Sequence, residues 1–190
     1  MRNPHRRALL LDAAVDVLAR EGARGLTFRK VDDQAGVPAG TASNYFSDRA
    51  ELLDQVARRV HERLQPDPER LQETMAVPPT QALDRQLMRE LVDRVTADRA
   101  GFLTLLELRL EAVRRPELRE RLTRTVRDEL EANIGFHLDA RLPGNRSTVI
   151  VLYLAMTGLI LEHLTLPDVL GADRLDEVTA MVVDAVVPPD

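Results

Sequence analysis

The side chains that could carry out chemistry in this chain are few and scattered. There is no cysteine, so neither a disulfide framework nor a thiolate metal site is possible. The four histidines, at positions 5, 61, 137 and 163, do not have the spacing of a metal-binding motif. The sequence shows neither a glycine-rich phosphate loop nor a serine nucleophile motif. We therefore expect a protein that is not an enzyme and that has no cofactor and no metal site.

Residues 27–46 indicate a different chemistry, the recognition of double-stranded DNA. Thr27 is expected to cap a short helix that ends near Gln34, Gly36 supplies a turn, and a second helix is predicted from Pro38 to Phe46. This is the spacing of a helix-turn-helix, whose second helix enters the major groove, although an ordinary helical hairpin shares it. The second helix, PAGTASNYF, is rich in small polar residues and suits a groove better than a bundle core.

Charge is distributed unevenly along the chain. The net charge is −5, but residues 1–63 carry 11 basic and 9 acidic side chains, against 15 and 22 in the remainder. The mildly basic N-terminal part is therefore the candidate for contact with phosphate. Its tail, MRNPHRR, adds Arg2, Arg6 and Arg7, and we expect Arg6 or Arg7 to contact the DNA backbone.

Helical periodicity runs through the whole sequence, and no segment alternates as a half-buried strand would. An all-α protein is predicted. The first helix is expected from Arg6 to Glu21 with Gly22 as its stop, and a later one begins after Asp48, whose spacing to Glu51 resembles a capping box. Five longer helices are predicted beyond the QPDP break: Thr80–Asp98, Ala100–Arg114, Pro116–Leu142, Arg146–Leu166 and Ala172–Val187.

These elements suggest three segments: a helix-turn-helix domain over residues 1–47, a connecting helix over 48–64 and a C-terminal domain over 65–190. The longest strongly apolar stretch, residues 149–161, is expected to be a buried helix because its 13 residues are too few to cross a bilayer. The N-terminus lacks the apolar run of a signal peptide. We expect a cytoplasmic protein that makes no contact with a membrane.

The stretch LTFRKVDDQAGVPAGTASNYFSDRAELL, residues 26–53, resembles the TetR family of bacterial transcription repressors. The resemblance is close over about residues 6–64 and architectural beyond them. It implies a homodimer that binds a palindromic DNA operator and is released by a small-molecule effector. Position by position, it implies base reading by Arg29 and phosphate contact by Lys30. It also implies groove-facing positions at Ala39, Gly40, Thr41 and Asn44, and phosphate contacts at Thr27, Ser43, Tyr45 and Arg49.

Two departures from the family pattern fall inside this stretch. Asp32 replaces a small apolar residue, and Ala42-Ser43 replaces a Leu-Tyr pair. We hypothesise that the two are linked, the Asp32 carboxylate accepting a hydrogen bond from Thr41, Ser43 or backbone N–H groups at the start of the recognition helix. A solvated acid is the alternative for Asp32 and the expectation for Asp33. The departures also leave open a protein-interaction module, or a regulator that has lost DNA binding.

The resemblance further implies a C-terminal domain that dimerises and binds an effector. Residues 146–166 are apolar nearly all round, and we expect this helix and the last one to form a four-helix dimer interface. Polar or soft residues among the apolar ones are candidates for effector contact, with ordinary packing as the alternative for each. The candidates are Met88, Phe102, Arg109, His137, Tyr153 and Met156.

Overall fold

The structure, a computed structural model, describes residues 3–171 and 173–190. Within these residues it contains α-helices and one short 3₁₀ helix, Pro167–Val169, and no strand, which confirms the all-α prediction. The α-helices are α1 Pro4–Gly25, α2 Phe28–Ala35, α3 Thr41–Tyr45, α4 Arg49–Leu64, α5 Pro68–Thr74, α6 Gln81–Ala97, α7 Arg99–Arg114, α8 Pro116–Asp139, α9 Arg146–Thr165 and α10 Leu175–Val186.

The chain forms two compact units. The first contains the residues up to Gln65 together with Asp98–Thr125, and the second contains Pro66–Ala97 and Val126–Asp190. The sequence-based division placed everything after residue 64 in one C-terminal domain. The contacts instead group α7 and the beginning of α8 with the N-terminal helices.

Helix α1 is at the centre of the first unit and packs against α2, α4 and α7. Its Leu10, Ala14, Val17 and Leu18 are completely buried, as the helical spacing of these residues predicts. Arg59 of α4 holds α1 from outside the core through two hydrogen bonds to the Asp12 carboxylate, of 2.8 and 2.9 Å.

Glycines explain where the predicted helix boundaries succeed and where they are wrong. Gly22, the predicted stop of the first helix, has φ 68° and breaks α1 three residues before its end. The third helix was predicted from Pro38 to Phe46 but covers only Thr41–Tyr45. Its start is later because Gly40 has φ 88°, a left-handed conformation that cannot belong to an α-helix.

The two predicted caps in this region are present. The Thr27 side chain accepts a hydrogen bond from the Lys30 N–H at 3.2 Å, and Asp48 accepts one from the Glu51 N–H at 2.8 Å. The Glu51 carboxylate differs from an ordinary capping box because it accepts its hydrogen bond from Ser47 N–H, one residue before the cap.

The second unit is built around α6, α9 and α10. Leu152 of α9 packs with Val183 and Val187, and Met88 of α6 lies against this cluster. Helix α5 was not predicted; it begins at Pro68 and is capped by Asp67, whose carboxylate accepts hydrogen bonds from two N–H groups. The predicted start of the last helix, Ala172, lies outside the described residues.

Helix α9 is longer than the apolar stretch that predicted it. Among the described residues, α9 is the one helix that is long and apolar enough to cross a membrane. This corrects the expectation that the segment is too short to do so. The core helix of a helical bundle has the same composition, and 39% of its most apolar window is buried within the protein.

Candidate nucleic-acid interface

Helices α2 and α3 are held in place by a small set of buried side chains. Val31 of α2, Ala42 of α3 and Phe46 directly after α3 are all at most 1% exposed. Gly36 ends α2 in a left-handed conformation, with φ 64°, and the Val37 N–H donates to the Asp32 carbonyl at 3.0 Å. The turn between the helices is therefore fixed by both apolar packing and backbone hydrogen bonds.

The Asp32 side chain joins α2 to the start of α3. It is 1% exposed, and its carboxylate accepts hydrogen bonds from Gly40 N–H at 2.7 Å and from Ala42 N–H at 2.6 Å. Of the donors that the sequence left open, the backbone groups are therefore the ones used. Gly40, at the N-cap of α3, has no side chain with which to cap it, so Asp32 supplies the missing acceptor from the neighbouring helix. Asp33 is exposed, as expected.

Most of the predicted DNA-contacting residues lie at the surface, and the rest are half-buried. The exposed ones are Arg6, Thr27, Arg29, Lys30, Ala39, Gly40, Ser43 and Asn44, and the half-buried ones are Thr41, Tyr45 and Arg49. A Cβ built on Gly40 would meet no atom within 4 Å, so the surface is open at this point.

The polar side chains of this surface differ in whether they are already bonded. The Thr41 hydroxyl donates to the Pro38 carbonyl, and the Ser43 hydroxyl donates to the Gly40 carbonyl at 2.9 Å. In contrast, the Arg29 and Asn44 side chains form no hydrogen bond or ion pair with any residue in 3–171 or 173–190. These two side chains on α2 and α3 are therefore available for a hydrogen-bonding partner outside the protein.

Three of the predicted phosphate-contacting cations have partners within the first unit. Lys30 forms an ion pair with Glu21. Arg7 stacks over the Phe46 ring at 5.4 Å and donates to Gln55 at 2.8 Å. Arg49 donates to the Ala23 carbonyl and lies 3.5 Å from the Glu111 carboxylate. Arg2, the third arginine of the tail, lies outside the described residues.

A clamp formed by α4 and α7 on the broken end of α1 was missed by the sequence analysis. Glu107 accepts a hydrogen bond from the Ala23 N–H at 3.1 Å, while Arg49 binds the carbonyl of the same residue. Glu111, which is 8% exposed, pairs in turn with Arg49 and Arg115. Glu107 lies 84 positions from its partner in the sequence, and only the stop signal at Gly22 indicated that the end of α1 would need backbone partners.

The predicted effector-contacting residues do not all belong to one unit. Phe102, which is buried, and Arg109, which is exposed, lie on α7 in the first unit. The other four lie in the second unit: Met88 against the core cluster, His137 and Met156 buried, and Tyr153 half-buried.

Two protein families match the sequence. The family described as "Bacterial regulatory proteins, tetR family" matches residues 10–56, and the one described as "Tetracyclin repressor-like, C-terminal domain" matches residues 79–189, more than half of the chain. The chain belongs to the TetR family. It is therefore a DNA-binding transcription regulator with a ligand-binding domain, and not an enzyme.

Solved structures of other proteins are similar to this one along almost the whole chain. A family member from Streptomyces coelicolor A3 is 27% identical with a TM-score of 0.71, covering 97% of this chain and 99% of its own. The multidrug binding protein EbrR complexed with ethidium is 28% identical with a TM-score of 0.66, covering 95% and 99%. FadR, a fatty acid degradation regulator from Bacillus halodurans, shares the fold at 16% identity, with a TM-score of 0.73 and coverage of 98% and 96%. The comparison with curated proteins gave no match.

Proposed function

We propose that this TetR-family regulator is a cytoplasmic homodimeric repressor that binds a palindromic operator and is released by a small-molecule effector. The observation that carries the DNA-binding part is the state of the α2–α3 surface. Arg29 and Asn44 are exposed and without intramolecular partners among the described residues, and they lie on the two helices that Asp32 joins. Such a surface offers free hydrogen-bonding groups on a fixed backbone.

The chemistry of these two side chains suggests what they read. A guanidinium can donate two hydrogen bonds to O6 and N7 of guanine, and a carboxamide can bond N6 and N7 of adenine. Ala39 and Gly40 add little bulk, so the turn before α3 can approach the groove closely. We assign base reading to Arg29 and Asn44, and groove contact to Ala39, Gly40 and Thr41.

Phosphate contact is assigned to the residues around this surface. Arg6, Thr27, Lys30, Ser43 and Tyr45 are in this set, and they would position the helix without selecting sequence. Arg49 is the weakest member of the set that the resemblance implies, because its guanidinium already binds Ala23 and lies beside Glu111. Its intramolecular contacts favour a role in holding α1 and α4 together.

Selection of bound duplexes from a random pool by the purified protein tests this proposal. We expect an enriched inverted repeat, and affinity that falls steeply with salt as phosphate counterions are released. Arg29→Ala is expected to cost about 1–3 kcal/mol of binding and to relax the choice at one base pair in each half-site. Arg58→Ala, at an exposed arginine of α4 that pairs with Asp54, is the control and should keep the preference. A pool without enrichment would reject DNA reading and favour a protein-interaction module.

The exposed apolar residues of the second unit support the homodimer. Val151 and Leu154 of α9 are 45% and 61% exposed, and Met181 of α10 is 57% exposed, although all three are apolar. Two such helices per subunit would form a four-helix interface around a two-fold axis. Leu154→Glu should shift the protein from dimer to monomer in sedimentation velocity, whereas an unchanged dimer would exclude this face.

The effector site is proposed for the ligand-binding domain, in the second unit. EbrR, 25–28% identical to this chain, has solved structures with imidazole, ethidium and malachite green. By similarity, we infer a small organic molecule as the effector. Met88, His137, Tyr153 and Met156 are the candidate contacts that belong to this unit.

A further inference from the structure

The second unit contains a buried acid whose hydrogen bonds are incomplete. Asp84 of α6 is 1% exposed, and its Oδ2 has no hydrogen-bond partner among the described residues. Its Oδ1 lies 3.8 Å from Nδ1 of His137, too far for a hydrogen bond. Buried polar atoms are nearly always bonded, because leaving one unpaired inside a protein is costly. An unpaired carboxylate oxygen at this depth therefore points to a missing donor.

The neighbouring groups do not supply that donor. Nε2 of His137 lies 3.1 Å from the Pro143 carbonyl, which can only accept, so the ring hydrogen of a neutral imidazole is at Nε2. Its Nδ1 then presents a lone pair to Asp84. Burial lowers the pKa of His137, which favours this neutral form.

The titratable groups that face Asp84 supply no compensating positive charge. These are His137 of α8 and Asp190 of the C-terminal segment, which accepts a hydrogen bond from the Gln81 N–H at 2.8 Å in the first turn of α6. Burial, together with the charge of Asp190, raises the pKa of Asp84 to about 6. A proton on Asp84 would remove the charge but would still find His137 beyond hydrogen-bonding distance.

The surroundings favour an organic ligand over a hydrated metal ion. Leu83 is 2% exposed, and Met88, one helical turn after Asp84, packs against the apolar cluster of Leu152, Val183 and Val187. In residues 3–171 and 173–190, no group of three or more acidic or histidine side chains could hold a metal ion. Asp84 lies in the first turn of α6, next to Gln81, which donates hydrogen bonds to Asp190 Oδ1 and to the Val187 carbonyl of the C-terminal segment.

We propose that Asp84 is the anionic contact of a small-molecule site in the second unit, and that this site takes an organic cation with N–H donors, such as an amidinium or a primary ammonium. The cation donates to Oδ2 of Asp84, while its apolar part lies toward Met88. The assignment rests on the proposed effector-binding function of this unit and specifies its ligand class.

Calorimetry with benzamidine and benzamide, which have similar shape and differ in charge, tests the site. The wild-type protein should bind benzamidine at least about 10-fold more tightly than benzamide. Asp84→Asn keeps the size of the side chain and removes its charge, so it should bind the two compounds equally. Asp93→Asn, at an exposed position of the same helix, removes the same charge and should keep the wild-type preference. The preference of the wild type should decrease below about pH 6, as Asp84 becomes protonated.

Three results would overturn the site: no benzamidine binding to the wild type at millimolar concentration, no preference between the two compounds, or an unchanged preference in Asp84→Asn. Each of them would leave a buried water as the partner of Oδ2. Melting curves of both variants verify that they are folded.

The selection of duplexes from a random pool separates the cation site from the proposed repressor function. An enriched operator without a benzamidine preference rejects only the cation site, and a charge-dependent site without an enriched operator rejects only the DNA-reading proposal.

Discussion

Two aspartates in this protein are almost completely buried, Asp32 in the first unit and Asp84 in the second, and the surroundings of their carboxylates are opposite. Each is 1% exposed. Both oxygens of Asp32 accept a short hydrogen bond from a backbone N–H group at the start of α3. One oxygen of Asp84 has no partner among the described residues, and the other faces a ring nitrogen 3.8 Å away.

Burial alone therefore does not define the role of an acid. The charge of Asp32 is stabilised by two N–H dipoles at the first turn of a helix. Removing the Asp32 carboxylate therefore leaves these two N–H donors without a partner. The charge of Asp84 lacks such compensation, so its removal relieves the protein of a cost. Neutralising Asp32 should lower the free energy of unfolding, whereas neutralising Asp84 should raise it, and this contrast can be measured.

The largest effect is expected for Asp32→Ala. The substitution removes two charge-assisted hydrogen bonds and leaves the buried Ala42 N–H without a partner, so the free energy of unfolding should fall by about 3 kcal/mol. Urea denaturation measures the change. Asp33→Ala, at the exposed neighbouring acid, is the matched control and should alter stability by less than about 0.5 kcal/mol. Equal stability of the two variants would contradict the assignment of Asp32 as the brace of α3.

A smaller effect of opposite sign is expected for Asp84→Asn. The pKa of Asp84 is raised from 3.8 to about 6 in the folded protein, so the folded state binds this proton more tightly than the unfolded state. Its contribution to stability is complete below pH 3.8 and is lost as the pH rises through about 6. Relative to the wild type, the variant should therefore gain about 1.4 kcal/mol of unfolding free energy between about pH 5 and about pH 8.

His137 has the opposite pH dependence, because burial lowers its pKa below 6.5: its contribution to stability is complete above pH 6.5 and is lost as the pH falls through the lowered pKa. Both proteins retain His137, so the difference between their denaturation curves isolates Asp84. Asp93→Asn, at an exposed position of the same helix, is the control and should alter the unfolding free energy by less than about 0.5 kcal/mol. A stability difference that stays constant with pH would show that Asp84 is charged equally easily in the folded and unfolded states.

The same contrast shows which features a sequence can reveal. Asp32 interrupts a recognisable pattern, so its position next to Gly40 and Ala42 could be inferred from local spacing, leaving only the choice of donor open. The α1 stripe and the caps at Thr27 and Asp48 were predictable for the same reason, since they depend on residues within one or two helical turns.

Asp84 could not be found in this way. It is one of several acids on an amphipathic helix, and its burial depends on α8 and on the C-terminal segment, 53 and 106 positions away. The clamp of Glu107 on Ala23 and the grouping of α7 with the first unit likewise depend on long-range packing. The short α3 is a local error, because nothing in the pattern of small residues showed that Gly40 adopts a left-handed conformation.

A third aspartate, Asp12 of α1, gives an intermediate case and the smallest expected effect. Its side chain is 38% exposed and accepts two hydrogen bonds from Arg59. Partial burial raises the pKa of Asp12, but the hydrogen bonds and positive charges of Arg59 and Arg63 outweigh burial, so the pKa lies below its ordinary value. Because solvent screens a pair this exposed, Asp12→Ala should lower the free energy of unfolding by only about 1 kcal/mol. The loss should be present near neutral pH and should disappear as the pH falls through the lowered pKa, the opposite direction from Asp84.

Denaturation of Asp12→Ala and of Arg59→Ala at high and low salt checks this prediction, because the contribution of a solvent-screened ion pair to stability should disappear at high salt. A loss as large as that of Asp32→Ala would show that partner geometry, and not burial, sets the energetic value of an acid in the first unit.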